Sequence, residues 1–141
     1  AAGRPPQLGI CLDSCHLYAS GYDVTKPAEM DRVVGEVDRE IGLDRLRVLH
    51  VNDSKTPLGS NRDRHDNIGD GLMGAKLAVF LGHPKLQSLP ALLEVPGADG
   101  HGPDAEQMEK LRKLYAKATK MRSARKSGSS ARRPAARGTR G

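Results

Sequence analysis

Aromatic residues and cysteines are scarce in this 141-residue chain, which has no Trp, one Phe, three Tyr and two Cys. With 37% hydrophobic residues, its core must be built from aliphatic side chains. Two cysteines do not make a disulfide framework. We interpret Cys11 and Cys15 as packing residues, because free Cys behaves mostly as a small buried hydrophobe. On a strand, residues 11, 13 and 15 would share one face, so a Cys-based zinc site stays open as an alternative.

Long apolar runs are also missing, and no stretch approaches the roughly 20 residues that a membrane span needs. Residues 1–6 have no apolar signal core. We therefore expect no membrane partner and a cytoplasmic location. The chain lacks an initiator Met and enters a strand-like segment within a few residues. We thus expect the sequence to start in the middle of a longer fold, with the preceding part of that fold missing.

Positive charge is concentrated at one end of the chain. Residues 119–141 contain eight Lys and Arg and no Asp or Glu. Residues 1–118 contain 15 basic and 17 acidic residues, a net charge of −2. Because the end segment is rich in Ser, Gly, Ala, Arg and Pro, it cannot bury enough apolar surface to fold, and we expect it to be disordered.

Alternating strand and helix patterns divide residues 1–118 into three βα units. Short apolar runs predict strands over residues 8–12, 46–51 and 89–95. Helical spacing predicts helices over residues 28–41, 72–81 and 104–118, the last with Asp104 as its N-cap. Such alternation indicates a parallel sheet with covering helices, and ligands of these α/β folds collect at the carboxyl ends of the strands. A closed eight-unit barrel takes about 250 residues, so three units make a slice of a barrel or a small open sheet.

His and carboxylate side chains stand at the end of each predicted strand or in the loop after it. Asp13 and His16 follow the first strand, His50 lies at the end of the second with Asp63 and His65 in the loop after it, and Glu94 lies at the end of the third. Each alone has an ordinary structural explanation, such as a helix cap for Asp13, a core histidine for His50, a solvated loop for Asp63 and His65, or an ion pair for Glu94. Together they favour a zinc, manganese or iron site, since imidazole with carboxylate suits those ions.

Five stretches carry a resemblance to a known family. They are GICLDSCH at residues 9–16, ASGYD at 19–23, HVNDSK at 50–55, GSNRDRHDNIGDG at 59–71 and LLE at 92–94. In this order and spacing the chain resembles endonuclease IV, the zinc-dependent apurinic/apyrimidinic (AP) endonucleases, from residue 8 to about residue 118. The departures are Ser14 where Thr is usual, Asp66 and Asp70 where Glu is frequent, and Val95 where Thr is frequent. None of them removes a candidate ligand.

The resemblance implies that residues 1–118 form the last three βα units of a (β/α)8 TIM barrel, followed by the disordered tail of residues 119–141. It implies a deoxyribonuclease IV-type enzyme that hydrolyses double-stranded DNA on the 5′ side of an abasic site. It also implies three zinc ions per complete enzyme, and association with the nucleoid if the source is bacterial.

The resemblance further implies how the ligands divide. Asp13, His50 and Glu94 resemble the ligands of one zinc, for which a bridging carboxylate is lacking, and Asp13 and Glu94 act in catalysis through metal coordination. His16, Asp63 and His65 resemble the full protein set of a second zinc. The third zinc takes its ligands from strands that precede Leu8. We therefore expect one complete and one partial site, and an isolated chain that is inactive without the missing half of its barrel.

Several basic residues could contact phosphates. Lys55, Arg62 and Arg64 flank the candidate ligands, and solvated surface charge is the alternative for each. The tail could tether DNA non-specifically through counterion release, or serve only solubility, or be an extension without a role.

Two other functions stay open. One is a metal-dependent sugar isomerase or epimerase of the xylose-isomerase-like barrel, against which the further ligands Asp63 and His65 argue. The other is a catalytically dead remnant that binds zinc or DNA.

Overall fold

The computed structural model describes residue 5 and residues 7–130. Its strands are β1 (Ile10–Asp13), β2 (Leu46–His50), β3 (Asp53–Ser54), β4 (His65–Asp66) and β5 (Ala91–Leu92). Its α-helices are α1 (Ser14–Ala19), α2 (Pro27–Glu40), α3 (Ala78–Gly82) and α4 (Ala105–Ser130). Short 3-10 turns cover Leu43–Arg45, Gly74–Leu77 and Pro84–Leu86.

Three strands form a parallel sheet in the order β1-β2-β5, as the alternating pattern predicts. In its register Asp13 lies opposite His50, and His50 lies opposite Leu92. The third strand is shorter than the predicted residues 89–95. Proline at positions 90 and 96 has no N–H to donate, which limits pairing at both ends of this segment.

Two of the predicted helices pack aliphatic side chains over the sheet. The first is α2, which buries Met30, Val33 and Val34, and the chain leaves it at Gly42 with a φ of 95°. The second, predicted over residues 72–81, is reduced to a 3-10 turn followed by the five-residue α3, which ends before His83-Pro84. Within the described residues, no helix combines the length and apolar character needed to cross a membrane.

The last helix begins as predicted but ends later. The Asp104 carboxylate accepts a hydrogen bond from the Gln107 N–H at 2.9 Å, which confirms it as the cap. The helix continues to Ser130, so residues 119–130, which we expected to be disordered, are helical. No Gly or Pro occurs between residues 105 and 127, and Ala, Lys, Arg and Met favour helix even without a core to cover. The tail from residue 131 onward lies outside the described residues.

Two short elements were not predicted. Helix α1 starts directly after β1, where the Asp13 carboxylate accepts a hydrogen bond from the His16 N–H at 2.9 Å. Cys15 therefore lies on a helix, and the expectation that residues 11, 13 and 15 share one strand face is wrong. Strands β3 and β4 pair antiparallel and close the loop that follows β2.

A buried carboxylate organises that loop. Asp53 is fully buried and accepts hydrogen bonds from the backbone N–H groups of Ser54, Gly69, Met73 and Gly74, at 2.8 to 3.2 Å. A Cβ at Gly71 would lie 2.6 Å from both Asp53 Oδ1 and the Ser54 carbonyl oxygen. Only glycine leaves room for this arrangement at position 71.

Glycine positions 71 and 35 should respond to alanine in opposite directions. Gly71→Ala should destabilise the chain by at least about 2 kcal/mol, because it displaces Asp53 from its charge-assisted hydrogen bonds. Gly35→Ala is the matched control, since nothing lies within 4 Å of a Cβ there in the middle of α2. It should stabilise the chain by about 0.5–1 kcal/mol through helix propensity. Thermal unfolding followed by circular dichroism measures both. Equal midpoints for the two variants would contradict the role given to Asp53.

Candidate metal centre

The three strand-end residues Asp13, His50 and Glu94 meet at one point. His50 Nδ1 lies 2.7 Å from Glu94 Oε2 and 3.6 Å from Asp13 Oδ2. One ligand atom from each of the three lies within 4.8 Å of the others, a spacing that could hold a metal ion. The structure thus brings together the first predicted set.

The second predicted set meets beside it. The Asp63 carboxylate lies between two imidazoles, 3.0 Å from His16 Nε2 and 3.1 Å from His65 Nε2. The rings of His16 and His65 are 5.5 Å apart. Asp13 Oδ2 lies 3.8 Å from His65 Nε2, and Asp13, His16 and His65 also form a group with ligand atoms within 4.8 Å. The two sets are therefore contiguous, and Asp13 lies between them.

The cluster has a buried floor and an open side. The side chains of Asp13, His65 and His50 are 5%, 17% and 24% exposed. Those of Glu94, His16 and Asp63 are 46%, 53% and 55% exposed. An open cavity of about 350 Å³ borders the cluster between α1, β1 and β2. A molecule from solvent can therefore reach the cluster, as a catalytic metal centre requires.

Asn52 fixes the floor of the cluster and was not assigned a role from the sequence. Its fully buried side chain donates through Nδ2 to Asp13 Oδ2 at 2.9 Å and accepts through Oδ1 from the Glu94 N–H at 2.8 Å. Ser14 Oγ binds both the carbonyl and the N–H of Asn52, at 2.7 and 2.9 Å. The amide thus links Asp13, at the end of β1, to the backbone of Glu94, two residues after β5. The sequence offers only a weak signal for this role, an amide two residues after the strand-end His50.

Opposite charges shift the pKa values of His16 and Asp63 on the exposed side of the cluster. Burial lowers the pKa of His16, but its hydrogen bond to Asp63 and the charges of Asp13, Asp63 and Glu94 outweigh burial, and the net pKa is raised. Burial raises the pKa of Asp63, but its contacts with His16 and His65 outweigh burial and lower the net pKa. The His16 imidazole and the Asp63 carboxylate thus each favour the charged form of the other.

The two ring nitrogens of His65 have different surroundings that fit a metal ligand. Nδ1 lies 3.2 Å from the Glu94 carbonyl oxygen, to which it can donate. Nε2 is buried and lies 3.1 Å from Asp63 Oδ1, but it makes no hydrogen bond among the described residues. Metal-binding histidines donate one ring N–H to a carbonyl or carboxylate and keep the other nitrogen's lone pair for the ion. The residues present therefore fit a divalent metal of the zinc class.

Cys15 lies at the back of the second set. Its Sγ is 3.8 Å from Asp63 Oδ1, and with Asp63 and His65 it forms a third group with ligand atoms within 4.8 Å. Burial raises the pKa of the Cys15 thiol, which disfavours the thiolate that a metal needs. Cys11 is exposed on β1, so it does not pack in the core as we expected.

The predicted phosphate-binding residues lie on the β3–β4 loop, outside the cluster. Lys55, Arg62 and Arg64 are exposed. The Arg64 guanidinium donates to the carbonyl oxygen of Asp63 at 2.7 Å, which holds it next to a candidate ligand. A role in binding DNA stays a prediction for all three.

Comparison with known proteins gives one consistent family. A sequence model described as "Xylose isomerase-like TIM barrel" matches residues 1–117. The chain is 42% identical over 109 residues to "Probable endonuclease 4" of Thermosipho africanus (strain TCF52B), which covers 76% of the chain and 39% of that protein. It is 46% identical over 111 residues to "Probable endonuclease 4" of Alkaliphilus oremlandii (strain OhILAs). That alignment covers 77% of this chain and 38% of the relative.

A solved structure gives the same result. The crystal structure of endonuclease IV from Thermus thermophilus superposes with a TM-score of 0.64 at 36% identity, covering 81% of this chain and 39% of that chain. The chain thus spans about two fifths of the length of the relatives it matches.

Asn52→Ala should loosen the cluster. Removal of the amide leaves Asp13 and the Glu94 N–H without a buried partner, and loss of such a supporting contact typically lowers metal affinity about 10- to 100-fold. Zn²⁺ titration against a competing chelator measures this. Asn67→Ala is the matched control, because the Asn67 amide also makes two hydrogen bonds, in its case both to the Gly97 backbone, and it touches no candidate ligand. Equal zinc affinity in the two variants would show that Asn52 does not position the ligands.

Proposed function

This chain belongs to the xylose isomerase-like TIM-barrel family, and from that we propose that it is the last three βα units of an endonuclease that acts on abasic double-stranded DNA. The observation that carries the proposal is the convergence of three histidines and three carboxylates in one half-open cluster. The relatives at 42% and 46% identity carry the name endonuclease 4, which supports the same activity.

We assign one zinc ion to each of the two contiguous sets of candidate ligands. Asp13, His50 and Glu94 contribute to one zinc, and Asp13 and Glu94 thereby take part in catalysis through coordination. His16, Asp63 and His65 hold a second zinc. A third zinc and a carboxylate that bridges to the first set would come from strands outside this chain. Two observations support this assignment: the buried Nε2 of His65 faces Asp63 without a hydrogen bond, and His50 Nδ1 lies 2.7 Å from Glu94 Oε2.

The chemistry of the cluster suits phosphodiester hydrolysis. Bound divalent ions supply positive charge at the scissile phosphate and a water of lowered pKa. The protein's own part is positional, because Asn52 holds Asp13 and the Glu94 backbone in place. Arg64, Arg62 and Lys55 contact flanking phosphates from the loop on the open side. An abasic nucleotide has no base to hold it in the stack, so it is turned toward the cluster at low cost.

A sugar isomerase or epimerase is the runner-up, since the family description covers xylose-isomerase-like barrels. The loop between β3 and β4 argues against it. This loop adds His65 and Asp63 to the strand-end set, and it also carries three exposed cations, one of which, Arg64, donates to the Asp63 carbonyl oxygen. A second metal set with flanking cations suits a phosphodiester better than a neutral sugar.

Zinc binding by the 141-residue chain tests the ligand assignment. We expect about one tightly bound zinc per chain, because one set is complete in protein ligands. His65→Ala should abolish it, whereas His101→Ala, which changes an exposed loop histidine, should leave it unchanged. Metal analysis after dialysis measures both. Retention of zinc by the His65 variant would refute the assignment.

Incision of an abasic duplex tests the activity. We expect the 141-residue chain alone not to cleave, because ligands from further strands are missing. A chimera that joins the preceding part of the Thermosipho africanus relative to residues 1–141 should cleave on the 5′ side of the abasic site and lose activity with a chelator. A chimera that binds three zinc ions but leaves the duplex intact would sink the proposed function, and cleavage by the chain alone would sink the missing-ligand argument.

A further inference from the structure

Helix α4 extends well beyond the part of the molecule that it helps to build. Leu111, Leu114 and Ala118 are buried, and a Cβ on Gly82 of α3 would contact Ala118 at 3.4 Å. The helix then continues to Ser130, about 18 Å further at 1.5 Å per residue. The family match ends at residue 117. The last turns of α4 therefore lie beyond the matched family region.

This part of the helix carries charge of one sign. Between residues 110 and 130 the sequence has eight Lys and Arg and no Asp or Glu. Lys117 and Lys120 are exposed, and no described carboxylate pairs with either. Their spacing from Lys113 by four and seven residues places all three on one side of the helix. The helix thus presents a row of cations, and its last two described members are available to an anionic partner.

The direction of α4 places this row away from the metal cluster. The helix starts beside the loops that surround the cluster, where Asp104 accepts from the Ala98 N–H at 2.8 Å and Gln107 accepts from the Ile68 N–H at 2.9 Å. Ala118 lies next to Gly82 at the end of α3. The chain runs from there to the start of β5, at the end of the sheet opposite to the carboxyl ends of the strands. Residues beyond Ala118 therefore emerge from the end of the sheet opposite to the cluster.

We infer that residues 117–130, the basic extension, are a second DNA-binding element that contacts the phosphate backbone of duplex DNA without reading its sequence. The inference rests on the proposed function for its choice of DNA as the polyanion. Neutralising phosphates releases condensed counterions, which makes such binding strong at low salt and independent of sequence. Because the extension lies on the opposite face, it holds a stretch of duplex other than the one at the metal cluster.

An anionic membrane surface is the other polyanion that a basic helix can bind, and the sequence disfavours it. A helix that lies in a membrane interface needs a continuous apolar face. The basic extension contains one large apolar residue, Met121, among Lys, Arg, Ser, Thr, Ala and Gly. Phosphate groups of a duplex require no such face.

The test is the salt dependence of binding to undamaged duplex DNA, measured by fluorescence anisotropy on the full chain with a chelator present. Glutamine replaces the extension's five cations at positions 117, 120, 122, 125 and 126, since Gln keeps helix propensity close to that of Lys and Arg. The slope of log K against log salt should flatten by about 0.9 for each phosphate that is no longer neutralised. Replacement of Lys117, Lys120 and Lys126 by Arg should keep the native slope.

A pair of double variants controls for net charge. Lys117→Gln with Lys120→Gln removes two unpaired cations, whereas Arg39→Gln with Lys85→Gln removes two that already contact Glu40 and Asp38. Only the first pair should flatten the slope. An unchanged slope in the five-residue variant would overturn the inference. So would an affinity for phosphatidylserine vesicles that depends on the Lys and Arg of the extension, if the affinity for DNA does not depend on them.

Failure of the inference and failure of the proposed function are distinguishable in these assays. His65→Ala should abolish incision by the chimera and leave the salt slope on undamaged DNA unchanged. A chimera that does not incise, together with a slope that depends on the extension, removes the nuclease activity and leaves the DNA-binding element standing.

Discussion

Parallel pairing of β1, β2 and β5 is the constraint on which the candidate site depends. The register sets Asp13 opposite His50, and it ends β5 two residues before Glu94. Since the side chains come from three separate segments of sequence, no local structure could bring them together. Asn52 then ties the first strand to the third by bonding the Asp13 carboxylate and the Glu94 N–H. Sheet register gives the approximate place of each candidate ligand, and the Asn52 amide then fixes Asp13 relative to the Glu94 backbone.

Two buried carboxylates near this edge show how the same side chain takes different roles. Asp53 accepts four backbone N–H groups, which occupies the acceptor sites that an ionised carboxylate offers. Asp13 is almost as buried but accepts from one backbone N–H and one amide. Its remaining capacity on Oδ2 faces His50 and His65 at 3.6 and 3.8 Å. A saturated carboxylate organises a loop, and an unsaturated one is available for a cation.

Most of the fold and of the ligand cluster could be predicted from the sequence, because strand periodicity and the strand-end rule depend on residue order alone. The role of Asn52 could not, since its partners lie 39 and 42 residues away and an amide is equally common in turns. The β3–β4 hairpin was missed because two-residue strands leave no periodicity. The length of α4 does not follow from the apolar pattern, because residues 119–130 have little apolar content, whereas the Ala, Lys, Arg and Met among them favour helix.

Charge distribution connects the two ends of the molecule. Residues 1–118 carry a net charge of −2, and the cluster concentrates three carboxylates on its face. Without bound cations this face would repel a phosphate backbone, whereas bound divalent ions would reverse the sign of the local field. If the proposed function holds, metal ions serve the approach of DNA as well as its hydrolysis. The basic extension needs no metal for its charge, so its attraction for a duplex is independent of metal supply. Metal removal would then separate the two contacts, abolishing the one at the cluster and sparing the one at the opposite end.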